Sequence, residues 1–328
     1  MIDDNFVYYF NSILSKGKKD NTYKFALARF LIDYAHGLED SDLKTMPDGN
    51  VRHTIEFSTI AKAFLRYYWH QVCKYKIRQN CNIDKPPLIV QIIQSVFGSE
   101  YIPESFDSMN KEKVATTEKL ITKKCFAEVV PRFQNITNGI RVTSNNIFYE
   151  YSDDVILVKL QAILFFKQNY SLLFKAVILE WARFLERINP GLPRLISKIE
   201  GDEPSRRSLE RYKIILGEYF TKCFYCPNLL ANDKRLIHVD HFIPWSYIFE
   251  DEIWNLVLTC RSCNLKKHSS LAPKHFLESL VNRNNQYCDT VVGLKKSLLR
   301  LDPDLDQEKA IRKHYQNCMD YGFTITQF

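Results

Sequence analysis

Residues 223–268 decide how this chain is read. They open with Cys223-Phe224-Tyr225-Cys226 and close with HVDHFIPWSYIFEDEIWNLVLTCRSCNLKKH, residues 238–268. Cys223 with Cys226, and Cys260 with Cys263, make two C-x-x-C units. Each unit presents two thiolates on a tight knuckle, and two knuckles supply the four sulfurs that a tetrahedral zinc takes. The gap of 33 residues between Cys226 and Cys260 is longer than in a simple zinc ribbon, so a further structure must be folded between the knuckles.

Inside the gap, His238-Val239-Asp240-His241 reads as a short strand that turns away at Phe242-Ile243-Pro244. Alternation along a strand puts Asp240 and His241 on opposite sides, so one can hold a metal while the other faces a different atom. His238 shares a face with Asp240 and reads as a substrate contact or a solvated residue. Trp245 and Trp254 supply the aromatic mass that a small zinc-stapled domain needs. After the second knuckle, Asn264-Leu265-Lys266-Lys267-His268 reads as a helix with Asn264, Lys267 and His268 on one face.

The order C-x-x-C, D-H-x-x-P, W-N-L, C-x-x-C-N-x-x-K resembles the HNH endonuclease family, in the variant braced by a four-cysteine zinc knuckle. The resemblance covers about residues 218–275, roughly a fifth of the chain. It implies a β-hairpin and helix gripping one catalytic metal, with Asp240 and Asn264 as ligands of a divalent ion and His241 as general base. Asn255, in Trp254-Asn255-Leu256, matches the middle asparagine that ties the metal loop and orients the histidine. The last family position is Asn264 instead of histidine, which favours a hard ion such as Mg2+ or Mn2+. His268 falls where some members place another ligand.

The chemistry of phosphodiester hydrolysis asks for the same groups. It needs an activated water, stabilisation of developing negative charge and help for the leaving oxygen. A neutral imidazole accepts water's proton near neutral pH. Arg261, Lys266 and Lys267 are placed to hold flanking phosphates, with zinc holding the hairpin against the helix. A basic run of this kind also serves as a plain solvated helix face. The competing reading is a noncatalytic, zinc-stabilised nucleic-acid-binding or adaptor protein, which would explain the zinc and the basic run but has no need of Asp240, His241 and Asn264 together.

Outward from this segment, 328 residues with 45% hydrophobic and 25% charged side chains exclude a disordered or collagen-like chain. The net charge of +7 is unspecific, but residues 256–300 hold eight basic side chains against Glu278 and Asp289. Five of nine cysteines (Cys73, Cys81, Cys125, Cys288, Cys318) stand alone, which suits a reducing compartment. The N-terminus lacks a secretory pattern, and the apolar run 155–167 is broken by Lys159 and Lys167, so a cytoplasmic location is expected.

The fold class expected is mainly α with a small α+β module. Residues 1–200 read as a mainly helical targeting, sensing or partner-docking domain, 203–282 as the nuclease domain and 283–328 as a helical C-terminal appendage. YKFALARFLIDYA and IAKAFLRYYWHQVCKYKI carry helical periodicity, and SLLFKAVILEWARFLERI is apolar nearly all round, as for a central helix. Residues 139–152 read as a hairpin turning at Ser144-Asn145-Asn146, and Asp202 or Glu203 before Pro204 as a helix start. Double-stranded DNA is the substrate expected, and the family resemblance further implies a role in restriction or antiphage defence; the N-terminal domain is left open between selecting a DNA sequence, sensing a ligand and docking onto a partner protein.

Overall fold

The computed structural model describes residues 5–15, 20–39, 44–45, 51–82, 84–100, 102, 104–138, 141–144, 146–201, 207–230, 236–302 and 306–328. The chain is mostly helical with small antiparallel sheets. It divides into two compact units, one of residues 1–99, 104–190 and 195–202, the other of 100–103, 191–194 and 203–328.

The first unit holds helices α1 (Asn5–Ser15), α2 (Tyr23–Gly37), α3 (Phe57–Trp69), α4 (Leu88–Phe97), α5 (Lys111–Lys124), α6 (Phe126–Phe133), α7 (Leu160–Gln168), α8 (Tyr170–Ile188) and α9 (Leu195–Glu200). Strands β1 (Lys44–Thr45), β2 (Val51–Glu56), β5 (Tyr149–Tyr151) and β6 (Val155–Lys159) form one sheet in the order β1-β2-β6-β5. Strands β3 (Asn135–Asn138) and β4 (Arg141–Ser144) pair separately. Helix α2 buries residues on every side, from Phe25 to Ala35. Helix α8, expected at the centre, instead packs one face on α2 through Trp181 and Phe184 and leaves Leu172 and Leu179 exposed. Its C-terminal Asn189 accepts from the backbone N–H of Arg78 and donates to that residue's carbonyl.

The hairpin expected over 139–152 is displaced. Asn138 pairs with Arg141 in one hairpin, and Tyr151 with Ile156 in the next; Asn145 lies outside the described residues. Burial of Ile147, Phe148 and Tyr149 draws the segment after Asn146 into the larger sheet, and the chain then turns at Ser152-Asp153-Asp154. The apolar run 155–167 is split between β6 and α7. No single helix among the described residues is long and apolar enough to cross a membrane.

The second unit begins its regular structure at α10 (Glu210–Gly217). Residues 202–206, where a helix start was expected, lie outside the described residues, and 207–209 are not helical. There follow β7 (Ile237–His241), α11 (Trp245–Ile248), β8 (Leu256–Cys260), α12 (Arg261–Lys267), α13 (Lys274–Tyr287), α14 (Leu294–Leu301) and α15 (Gln307–Asp320). Strands β7 and β8 are antiparallel, with Asp240 opposite Val257 and His241 opposite Leu256. The bond from Phe242 N to Asn255 O makes His241–Leu256 a non-hydrogen-bonded pair. The backbone groups of Leu256, Leu258 and Cys260 therefore point away from β7.

All three outward positions on β8 are taken. The Leu256 carbonyl accepts from the Arg283 guanidinium, the Leu258 carbonyl from Phe224 N, and the Cys260 N–H donates to Cys223 Sγ. An open edge strand is a template for wrong pairing, and here the first knuckle and a buried arginine close it. On the outer edge of β7, Lys267 Nζ donates to the His241 carbonyl at 2.7 Å.

A boundary after residue 282 would cut α13 beside its buried Arg283, and residues 283–328 are not an appendage. Trp254 N donates to Ser297 Oγ, Tyr315 to the Ala272 carbonyl, and residues 324–326 run beside Leu271. The α14 and α15 faces looked generic because buried Leu294, Leu298 and Ile311 carry no chemistry of their own; α14 packs against the Ile253–Asn255 turn and α15 against α13 and α14.

Candidate active site and metal centre

The two knuckles come together as the spacing predicts. Cys260 ends β8, Cys263 lies in the first turn of α12, and the ligand atoms of Cys223, Cys226, Cys260 and Cys263 all lie within 4.8 Å of one another. Four sulfurs around a zinc at about 2.3 Å sit about 3.8 Å apart, and Cys226 Sγ to Cys260 Sγ is 3.9 Å. The set is consistent with a structural zinc. Burial raises the Cys223 and Cys263 thiols, whereas at Cys260 the N–H of Cys263 and the neighbouring thiols outweigh burial and lower it. A zinc held by this set would join the segment before β7 to the β8–α12 junction.

Asp240 faces inward and His241 the other way. The Asp240 carboxylate is buried, accepting from the Tyr225 hydroxyl at 2.6 Å and pairing with Lys267 Nζ at 2.9 Å through Oδ2 and 3.3 Å through Oδ1. Burial, and then the adjacent Asp240, push the Tyr225 phenol well above its ordinary value, so it stays a donor. Lys267 was expected on phosphates with Lys266, but the two part: Lys266 is exposed and Lys267 is fully buried. The reason is helical. A residue three positions after Asn264 faces back onto β7, where a buried carboxylate and an outward carbonyl need a cation.

Nor do Asn264, Lys267 and His268 share one face. The helix ends at Lys267, and His268 takes φ 47° and ψ −123°, a conformation that strains a non-glycine residue. Its exposed ring contacts Ser269 Oγ through Nδ1 at 2.9 Å. Asn264 is half-buried on α12. Arg261 is exposed at the helix start. His238 lies opposite Thr259, and burial, Lys213 and Arg261 pull its pKa below the usual value.

Asn255 is fully buried; its side chain accepts from Ile243 N at 2.8 Å and donates to Ile243 O at 2.9 Å. That two-way clamp fixes the chain just after His241. The turn carrying Asn255 is itself held by α13, where Arg283 donates to the Leu256 and Trp254 carbonyls and Asn284 to Trp254 O. Among the described residues no carboxylate partners Arg283; carbonyl oxygens and the Asn284 side chain solvate its charge, and burial lowers its pKa.

The His241 ring has a partner that motif reading missed. Its Nε2 lies 2.9 Å from Asp251 Oδ1. Tyr225, Arg283 and Asp251 are not marked by any motif: Tyr225 fills a variable position of the first C-x-x-C, and the other two belong to no spacing pattern. The available signal for Asp251 was an acidic triplet, Glu250-Asp251-Glu252, inside an otherwise basic-leaning region.

A strand pair and helix pinned by four sulfurs, with an inward Asp and an outward His on the first strand, defines a zinc-braced hairpin-and-helix module. Residues 221–272 match the family model described as HNH endonuclease, so the chain carries an HNH endonuclease domain, which implies a nucleic-acid substrate. Residues 7–87 match a domain of unknown function (DUF8808). No curated protein and no solved structure matches the chain.

Proposed function

We propose that this protein is a metal-dependent endonuclease that hydrolyses DNA phosphodiester bonds, with double-stranded DNA as substrate. The observation that carries the reading is the placement of Asp240 and His241 on opposite faces of a zinc-braced strand, with Asn255 clamping the chain directly after them. His241 is the general base. Asp240 and Asn264 are the protein ligands of a divalent ion, and that oxygen donor set suits Mg2+ or Mn2+, which keep several waters and bind through one or two protein groups plus substrate phosphate. Asp240 has lone pairs to spare beyond Tyr225 and Lys267, because a carboxylate offers about four acceptor sites. His268 stands in reserve as a further ligand. When bound, the ion supplies charge stabilisation at the scissile phosphate.

His241 takes the proton from water, the resulting hydroxide forms the new bond to phosphorus, and the bond to the leaving 3′ oxygen breaks, the departing oxyanion taking a proton from solvent to become the 3′ hydroxyl. Arg261 and Lys266, both exposed beside this centre, hold flanking phosphates; Lys267 instead balances the Asp240 charge from within. The first unit supplies targeting, sensing or partner docking, and the setting is cytoplasmic, in restriction or antiphage defence.

The test is nicking of supercoiled plasmid with and without Mg2+ or Mn2+, using wild type and His241→Ala. Cleavage should require the ion and fall at least about 100-fold in the variant, with an unchanged melting curve. If the folded, zinc-loaded protein binds DNA without cutting it under any divalent ion, the noncatalytic adaptor reading replaces this one.

A further inference from the structure

The loop between α11 and β8 carries three consecutive carboxylates, and their partners divide sharply. Glu250 is paired with Arg194. Glu252 receives Arg300 through both oxygens, at 2.9 and 2.6 Å, and the Ser297 hydroxyl at 2.7 Å. Asp251, between them, meets the His241 ring at 2.9 Å, with both side chains mostly buried. The flanking arginines thus hold the loop by its two outer acids and leave the middle one for the histidine. Helix α14, which contributes Ser297 and Arg300, fixes the loop from outside the segment that matches the family.

The geometry points to Asp251 as the positioning residue for His241, holding the ring as the Nε2–H tautomer with Nδ1 as the proton-accepting atom. The chemistry follows from what each group can donate. An ionised carboxylate only accepts, so Nε2 must carry the hydrogen, and a neutral ring then has its lone pair on Nδ1. In the proposed reaction the water proton goes to Nδ1, the Nε2–H bond to Asp251 persists, and Asp251 remains ionised beside the imidazolium. Asp251 touches neither substrate nor metal; it acts through His241. The role rests on the proposed hydrolysis, but the tautomer does not.

The test uses the full-length, zinc-loaded protein labelled with 15N at histidine. Long-range proton–nitrogen correlation reads which ring nitrogen is protonated, and the His241 signal is identified by its loss in His241→Asn. Wild type should show the Nε2–H tautomer. In Asp251→Asn the amide can donate as well as accept, so the preference should be lost. Plasmid nicking should then fall on the order of 100-fold, with DNA affinity and the Mg2+ concentration for half-maximal rate unchanged; the corresponding change in a Ser-His-Asp triad costs about 10^4-fold.

A wild-type His241 protonated at Nδ1, or a tautomer unmoved by Asp251→Asn, would overturn the assignment. If Asp251→Asn does not fold, the wild-type spectrum still decides. The Nε2–H tautomer in a protein that cuts nothing would support the Asp251 pairing while sinking the nuclease reading.

Discussion

Lys267→Met tests the buried ion pair beneath the proposed site. Lys267 Nζ serves two acceptors, the Asp240 carboxylate at 2.9 Å and the His241 carbonyl at 2.7 Å, and its side chain is 0% exposed against 7% for Asp240. Methionine keeps most of the volume and removes the charge. Removing one member of a buried pair leaves the other uncompensated and costs about 3–5 kcal/mol. Part of that belongs to the carbonyl, since a hydrogen bond from a charged donor contributes about 1.5–3 kcal/mol. Adding Asp240→Asn should therefore recover the ion-pair share, leaving the double variant about 1.5–3 kcal/mol below wild type, the share of the carbonyl bond.

The assay is urea-driven zinc release followed with a chromophoric chelator, which reads the second unit alone because all four sulfurs belong to it. Wild type, both single variants and the double variant form a cycle, and residues in contact are expected to couple. A Lys267→Met loss below about 1 kcal/mol, or additive single effects, would refute the account of Lys267 as the internal counter-charge and return it to the exposed basic face.

Cys260→Ser should release zinc and lower the melting point of the second unit while the first unit's transition stays in place, measured by elemental analysis and calorimetry; zinc binding is folding energy in small metal-braced modules. In the His241→Ala background, Arg261→Ala and Lys266→Ala should each reduce the slope of log affinity for DNA against log salt by about one. Lys267→Met should leave that slope unchanged if folding is retained, because its ammonium does not reach the surface.

Local rules made the core of the site legible in the sequence. A C-x-x-C turn brings two sulfurs together whatever surrounds it, so the zinc set could be named from spacing. The period of two along β7 separates Asp240 from His241 without help from the rest of the fold. Asn255 was reached by resemblance, and its clamp on Ile243 supplies the physical content. Tertiary structure decided the remainder, because it depends on which side of an element meets a distant partner. Lys266 and Lys267 are neighbours in sequence, and only the docking of α12 on β7 buries one and exposes the other. Asp251 meets His241 across a loop, and Arg283 comes to Leu256 from α13, 27 residues on. The first unit's sheet joins β2 to β6 with Arg52 opposite Lys159, a pairing that sequence period alone does not reveal. At the β6–α7 junction strand passes into helix with neither Gly nor Pro between them, so what reads as one apolar run becomes two elements only when β2 offers β6 its hydrogen bonds.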